Sequence, residues 1–335
     1  MYGSGAASVN IYGGRIHRVF GGSNTKGNVC ETAVTILDNE DPCSLVIDEA
    51  YGGGKSAPMD AEAKLLMACL PGLNEVYGGA QDADVMGDVT LNITNGTFDR
   101  VFGGNNISGT IHGKITVNIE ETGCQPLIIG ELYGGGNKAP YSVYGYNDDR
   151  TPKTSGDKVY LDPVVNVKSF TSIGNIYGGG YGETAVMYGD PTVNVNVVEG
   201  KWKDKVANES DTDYNTPGYM YDANGYKGTT KEIDGENVVI PPHGKGKIGV
   251  INNVFGGGNA APVEGSTHVN IGTTNSETYV TGDNASHEVK GVDIRGNVYG
   301  GGNKADVTGS TNVRIGKENS TPSPARETTG GEVTN

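Results

Sequence analysis

The side chains best placed for chemistry in this sequence are aromatic, and they recur. An aliphatic residue, an aromatic and two glycines appear together as Val19-Phe20-Gly21-Gly22, Ala50-Tyr51-Gly52-Gly53, Val76-Tyr77-Gly78-Gly79 and Val101-Phe102-Gly103-Gly104. They return as Leu132-Tyr133, Ile176-Tyr177, Val254-Phe255 and Val298-Tyr299, each again followed by two glycines. Exposed aromatic faces suit sugar rings, but a regular aromatic ladder also stabilises stacking by itself. Neighbouring residues of a strand point to opposite faces. With the aliphatic position facing inward, this column is expected to face outward as an exposed stack. Its regularity matches that of the core, so a structural role is the better reading.

A second concentration of aromatics lies in the segment 199–248, which carries Trp202, Tyr214, Tyr219, Tyr221 and Tyr226 among Asp, Asn and Gly. Tyr- and Asn-rich loops on a rigid scaffold resemble recognition surfaces. The competing reading is an insertion whose aromatics pack on the scaffold. Asp211 and Asp213 lack the Gly and Glu of an EF-hand loop.

Other chemistries have less support. Glycoside hydrolysis needs two carboxylates ~5–10 Å apart. Asp88 and Asp190 hold matched positions after Gly87 and Gly189, but three repeats separate them, ~14 Å at ~4.8 Å per repeat. Asp88 with Lys114 reads as a surface ion pair. His17, His112, His243, His268 and His287 form no metal-ligand spacing, so solvated or locally bonded roles are expected and no metal or cofactor is assigned. Cys43 and Cys69 lie near one repeat apart and Cys30 and Cys43 closer still; four cysteines allow three pairings, and free thiols are the alternative.

The elements that position these residues follow from a second signature, an alternating strand. It reads Val34-Thr35-Ile36, Leu91-Asn92-Ile93, Val117-Asn118-Ile119, Val165-Asn166-Val167, Val193-Asn194-Val195, Val269-Asn270-Ile271 and Val313-Arg314-Ile315. From aromatic to central polar residue the step is 15 at Phe20, Tyr77, Phe255 and Tyr299, and from polar residue to the next aromatic it is 10 at Asn10 and Asn92. The sum, 15 + 10, is a repeat of about 25 residues. That length suits short strands joined by tight turns, the coil of a parallel β-helix, whose apolar face is buried only by stacking. The aliphatic positions Val101, Ile119, Ile176, Val193, Val254 and Val298 are expected inside, with Asn92, Asn118, Asn194 and Asn270 on the outer face.

Glycine is expected to supply φ > 0 in the turns, including Gly87, Gly113, Gly189, Gly265 and Gly309. Asn137, Asn259 and Asn303, after the triple glycines, suit the same turn and the same stacked ladder. Residues 58–70, rich in Ala, Leu, Met, Glu and Lys and bounded by Pro58 and Pro71, read as one short helix with Asp60 and Lys64 paired on its surface. Insertions fall near 140–160, at 199–248 and at 272–291. The whole of 199–248 is expected to be removable, because loop-closure entropy grows only logarithmically with length. The fold class is therefore all-β, a parallel solenoid with loop insertions and one short helix, spanning 1–316 as one domain, with 317–335 a polar tail or linker.

The charge balance, 25 Lys and Arg against 40 Asp and Glu, is −15. Nucleic acid is an unsuitable partner for such a chain. No apolar run approaches the ~20 residues of a membrane span, and the first residues show no basic-then-apolar leader.

The phrases Asn297-Val298-Tyr299-Gly300-Gly301-Gly302-Asn303-Lys304-Ala305 and Gly309-Ser310-Thr311-Asn312-Val313 resemble glycine-rich repeats of large surface proteins of gut bacteria. More broadly, the pattern is similar to right-handed parallel β-helices of the pectin-lyase type. The resemblance implies export and surface display, in an extracellular setting, as part of a longer repeat polypeptide; Met1-Tyr2-Gly3-Ser4-Gly5 already looks like a repeat signature. It does not extend to the calcium-binding aspartates of pectate lyases. The leading expectation is a non-enzymatic, adhesin-like stalk that presents loops to glycan or protein partners. The alternative is a polysaccharide lyase or glycoside hydrolase.

Overall fold

The computed structural model describes residues 5–38, 45–70, 72–122, 126–200, 221–222, 225–226, 228–243, 248–279 and 285–317. In chain order the strands are β1 Ala7–Ile11, β2 Arg15–Phe20, β3 Thr32–Leu37, β4 Val46–Tyr51, β5 Ala63–Ala68, β6 Leu73–Tyr77, β7 Val89–Ile93, β8 Gly96–Phe102, β9 Ile115–Glu120 and β10 Leu127–Tyr133. They continue as β11 Tyr141–Ser142, β12 Val164–Ser169, β13 Ser172–Tyr177, β14 Met187–Tyr188, β15 Thr192–Val195, β16 Tyr221–Asp222, β17 Gly225–Tyr226, β18 Thr229–Ile233 and β19 Glu236–Ile240. The last are β20 Val250–Phe255, β21 Val263–Glu264, β22 Thr267–Ile271, β23 Ser276–Thr278, β24 Ser286–Glu288, β25 Asp293–Ile294, β26 Val298–Tyr299 and β27 Thr311–Ile315. The described residues contain no helix, and the fold is all-β.

Two parallel sheets carry the architecture. The first runs β1-β3-β5-β7-β9-β12-β15-β22-β27 and the second β2-β4-β6-β8-β10-β13-β20-β25, with β26 also on β20. A smaller sheet, β11-β14-β21, continues a line of parallel bridges that joins Val29, Met59, Val85 and Ile111 in the earlier repeats. Strict alternation explains the register. In β7, Val89, Leu91 and Ile93 are fully buried, while Thr90 and Asn92 lie on the opposite face. Leu91 pairs with Val117, and Val165 with Val193, so like stacks on like along the core. Each such side chain contributes about 1.5–3 kcal/mol by leaving water. Val101, Ile119, Ile176, Val193 and Val254 are completely buried. Val298, in the last repeat, is only partly so.

The asparagines form a continuous amide ladder opposite that core. Asn118 donates to Asn92 (2.9 Å), Asn166 to Asn118, Asn194 to Asn166 and Asn270 to Asn194 (each 3.0 Å).

Two expectations are corrected, and one open alternative is decided. Residues 58–70 form no helix: β5 alternates, with Ala63, Leu65 and Met67 fully buried and Lys64 exposed. Its helix-favouring composition gives way to pairing between β3 and β7, because tertiary burial outweighs a propensity of tenths of a kcal/mol per residue. Lys64 accordingly pairs with Glu62, and Asp60 accepts from Asn28 (2.9 Å). The signature glycines do not supply positive φ either; Gly189 alone of the Gly87 set does so. They permit contact instead. A Cβ on Gly178 would lie 2.2 Å from the Gly256 carbonyl oxygen, and one on Gly52 equally close to that of Gly78. Lastly, Cys30 is a free thiol and is not bonded to Cys43. Cys69 is disulfide-bonded; Cys43 and Cys124 lie outside the described residues.

Candidate functional site

The aromatic column is real but faces no solvent along most of its length. Phe20, Tyr51, Tyr77, Phe102, Tyr133, Tyr177, Phe255 and Tyr299 stack in order, with ring centroids 4.7–5.0 Å apart and interplanar angles of 4–13°. Tyr51, Tyr77, Phe102 and Tyr133 are completely buried, and Tyr177 and Phe255 nearly so. Phe20 is half-buried, and Tyr299, at the end, is 44% exposed. The exposed stack expected from alternation is therefore corrected: the rings leave the core on the outer side but are roofed there.

The roof comes from the turn two repeats further on. Asn106 donates to the Tyr51 hydroxyl (2.7 Å), Asn137 to Tyr77 (3.4 Å) and Asn259 to Tyr133 (3.3 Å). Asn303 bonds Tyr177 in the same way. Asn137, Asn259 and Asn303, expected as positive-φ turn residues, are none of them at positive φ. Their amides also link to one another, Asn137 to Asn106 (3.0 Å) and Asn303 to Asn259 (3.1 Å). Phe102 has no hydroxyl to cap, and there the corresponding residue is Tyr181, which packs against the column.

The residue two positions before each ring completes the arrangement. Tyr51 donates to Glu49 (2.7 Å), Tyr77 to Glu75 (2.7 Å) and Tyr133 to Glu131 (2.9 Å). Before Phe20 and Phe102 the residue is Arg18 or Arg100, and before Tyr177, Phe255 and Tyr299 it is Asn175, Asn253 or Asn297. Arg18 pairs with Glu49 at 3.0 Å and Arg100 with Glu75. Burial, then the neighbouring glutamates, push the Tyr51 and Tyr77 hydroxyls far above their ordinary range. Burial likewise raises the Glu131 carboxyl, against the opposing hydrogen bonds of Tyr133 and Asn175. These phenols are fixed donors, not acids.

Beside this column the hairpin β18–β19 lies on the second sheet. Ile128 meets Ile233, Val238 and Ile240 in a separate buried cluster. A Cβ on Gly130 would come 2.8 Å from Ile233, and one on Gly174 equally close to Val238, so glycine here lets the hairpin seat. Residues 229–243 are thus part of the packed structure, which corrects the expectation that all of 199–248 can be cut. Between hairpin and sheet is a groove of about 420 Å3, lined by His17, Asp48, Glu49, Asn74, Glu75, Asp99, Arg100 and Glu232–Asp234. Arg100 is its centre. It pairs with Glu75 and Asp234 and lies 5.6 Å from the Phe102 ring centroid and 5.2 Å from that of Tyr181. Asp48 is held by His17 at 2.6 Å, and Asp99 by Lys231.

The remaining candidates are placed as follows. Trp202, Tyr214, Tyr219, Asp211 and Asp213 lie outside the described residues. Tyr221 and Tyr226 are cross-strand partners in the antiparallel pair β16–β17. Asp88 accepts from the backbone N–H of Lys114 (2.8 Å), so the expected ion pair with the Lys114 ammonium is replaced by a backbone bond between repeats. Asp190 does the same for Ser266 (2.6 Å) and also takes Lys158 (2.6 Å). Those contacts outweigh burial and hold its carboxyl below the usual range. His112 is bonded on both nitrogens, to Tyr160 and Thr110 (2.9 Å each), and burial lowers its pKa. Its neighbours Tyr146 and Tyr160 come from the 140–160 insertion, which is thereby pinned to the third line of strands. Among the described residues no group of His, Cys, Asp and Glu is arranged to hold a metal, and no helix is long and apolar enough to cross a membrane.

Sequence reasoning missed the hydroxyl–amide clasp and the groove, though a signal for the clasp was present. Each tyrosine from Tyr51 to Tyr177 has an asparagine four residues after the aromatic two repeats later, and Phe102 has Tyr181 there. A scan of protein-family models, a search of curated proteins and a search of solved structures each found no match to this chain.

Proposed function

We propose that the three lines of parallel strands are the faces of one right-handed β-helix, and that this helix is a rigid, non-enzymatic scaffold of the bacterial cell surface or secreted space. Its task is to present the insertions to a glycan or protein partner. One observation carries the reading: the repeated side chains of chemically capable types are engaged in holding repeats together. The tyrosines donate to glutamates and accept from asparagines, and the asparagines bond asparagines. Of the groove carboxylates, Asp48, Glu49, Glu75, Asp99 and Asp234, though not the exposed Glu232, are each held by a His, Arg or Lys partner. A general acid must hold a proton and both carboxyls must reach the scissile bond, and ion pairs of this kind favour the charged carboxylate and occupy its oxygens.

The hand follows from the strong preference of parallel crossovers. Export is supported by the disulfide at Cys69, since disulfides persist in oxidising compartments. A candidate recognition surface is the groove against β18–β19, where the exposed Asn74, His17 and Glu232 offer hydrogen-bonding groups to hydroxyl-rich ligands. The test is a glycan array followed by incubation with neutral and acidic polysaccharides, tracking unsaturated-product absorbance and reducing ends. Binding without turnover supports the scaffold. Robust turnover replaces it with a polysaccharide lyase or hydrolase.

A further inference from the structure

We infer that Lys168 and Asn196 are joined by an isopeptide bond that the folded chain makes itself, with Glu277 as the proton-transfer group. The inference rests on residues that the proposed function does not use, and it stands apart from that reading.

The three side chains that such a reaction needs meet at one place. β12 and β15 pair with Val167 opposite Val195. The Asn196 N–H donates to the Val167 carbonyl (3.1 Å) and so carries the register one residue further. Alternation then sets Lys168 and Asn196 side by side on the outer face, as it does Asn166 and Asn194 two positions earlier. Paired backbones lie ~4.8 Å apart, a gap that the flexible four-carbon stem of lysine spans. Residues 273–279 fold back over the pair. Glu277 accepts from the Asn196 amide through Oε1 (2.9 Å) and faces the Lys168 ammonium through Oε2 (3.7 Å). The Thr273 N–H donates to Asn196 Oδ1 (2.9 Å), and the ammonium also donates to the Thr278 carbonyl.

This is not an ordinary surface pair. The Lys168 side chain is 12% exposed and Asn196 6%. Tyr279, itself buried, fastens the covering segment by donating to the Glu199 carbonyl (2.9 Å). A surface pair such as Lys290 with Glu288 has the amine and the carboxylate alone. Here a carboxylate touches both an amine and a primary amide, and a backbone N–H polarises the amide carbonyl. Those are the nucleophile, the acid–base group, the electrophile and the oxyanion donor of an acyl transfer.

Glu277 takes one proton from the Lys168 ammonium, and the freed lone pair attacks Asn196 Cγ. The Thr273 N–H holds the charge that develops on Oδ1. Glu277 then gives its proton to Nδ2, and the Cγ–Nδ2 bond breaks, leaving Cγ bonded to Nζ. The surplus proton on Nζ passes to the departing ammonia. An ammonium side chain and a primary amide thus become a secondary amide and an ammonium ion, with nothing oxidised or reduced. Fixed neighbours make the step intramolecular, which is how so weak an electrophile reacts. The bond also falls where the stack needs it. β15 is the last strand before the chain leaves for β16–β19, and the second sheet resumes only at β20.

The test is the intact mass of the full chain, reduced and denatured, with tandem spectrometry of its proteolytic peptides. The wild type should weigh one ammonia less than its sequence, and a branched peptide should join the segments holding Lys168 and Asn196. The branch decides, because cyclisation at Asn95-Gly96 would lose the same mass without joining two segments. Glu277→Gln and Lys168→Arg, checked for folding by circular dichroism, should each yield no branch. A wild type without the branched peptide overturns the inference and leaves an ion pair with hydrogen bonds; that measurement stands whether or not a variant folds. A branch that forms as fully in Glu277→Gln as in the wild type overturns the role of the carboxyl.

Discussion

The two long sheets solve the same stacking problem with different chemistry. On the outer face of the first, Asn92, Asn118, Asn166, Asn194 and Asn270 each bond only the next amide in line. On the second, aromatic rings stack and their hydroxyls are capped from two repeats away, Asn106 on Tyr51 and Asn259 on Tyr133. The first ladder couples nearest neighbours, as in a one-dimensional array. The second adds a next-nearest term and buries polar groups, so its loss should cost more and spread further.

The largest effect expected is from Tyr133→Ala. It removes a completely buried ring stacked on Phe102 and Tyr177 (4.7 and 4.8 Å), at a cost of about 3–5 kcal/mol; denaturant unfolding measures it. A loss no larger than that of a surface residue would break the comparison. Asn106→Ala comes next. It strands the buried Tyr51 hydroxyl without its donor and should cost about 1–3 kcal/mol. Asn194→Ala on the first sheet removes only half-buried amide contacts, so about 0.5–1.5 kcal/mol is expected. If the last two exchange order in the same unfolding assay, the distinction between the faces fails.

The smallest effect is one of pH. Burial lowers the His112 pKa from 6.5, so the folded chain holds the neutral ring while the unfolded chain takes up a proton as pH falls below that value. Stability contributed there is present above 6.5 and lost as pH falls through the histidine range. A His112→Gln variant should show a flatter melting temperature between pH 7 and 5 than the wild type. Equal slopes would mean that the 140–160 insertion is not clamped through this ring.

The repeat length and register were legible because alternation puts every second residue on one face: Val117 and Asn118 could not exchange roles without turning Leu91 and Asn92 over as well. The strand at Ala63–Ala68 was not legible, since Lys64, Leu66 and Ala68 on its outer side are good helix formers and only the stacking of Leu65 on Val34 and Leu91 decides. The burial of the tyrosines was hidden for a related reason. The group that covers Tyr51 is 55 positions away, and alternation within a strand reports only which side a residue takes, not what lies above it. The groove was illegible too, because β18–β19 sits inside an insertion whose place on the second sheet depends on the bare Cα of Gly130 and Gly174.

The central claim, that repeats two apart are tied through the aromatic column, is tested most directly by a double-mutant cycle of Tyr51→Phe and Asn106→Ala in equilibrium unfolding. The hydroxyl and amide are 2.7 Å apart and buried, so the account predicts a coupling energy of about 0.5–3 kcal/mol. Single effects that add to within about 0.3 kcal/mol would contradict it.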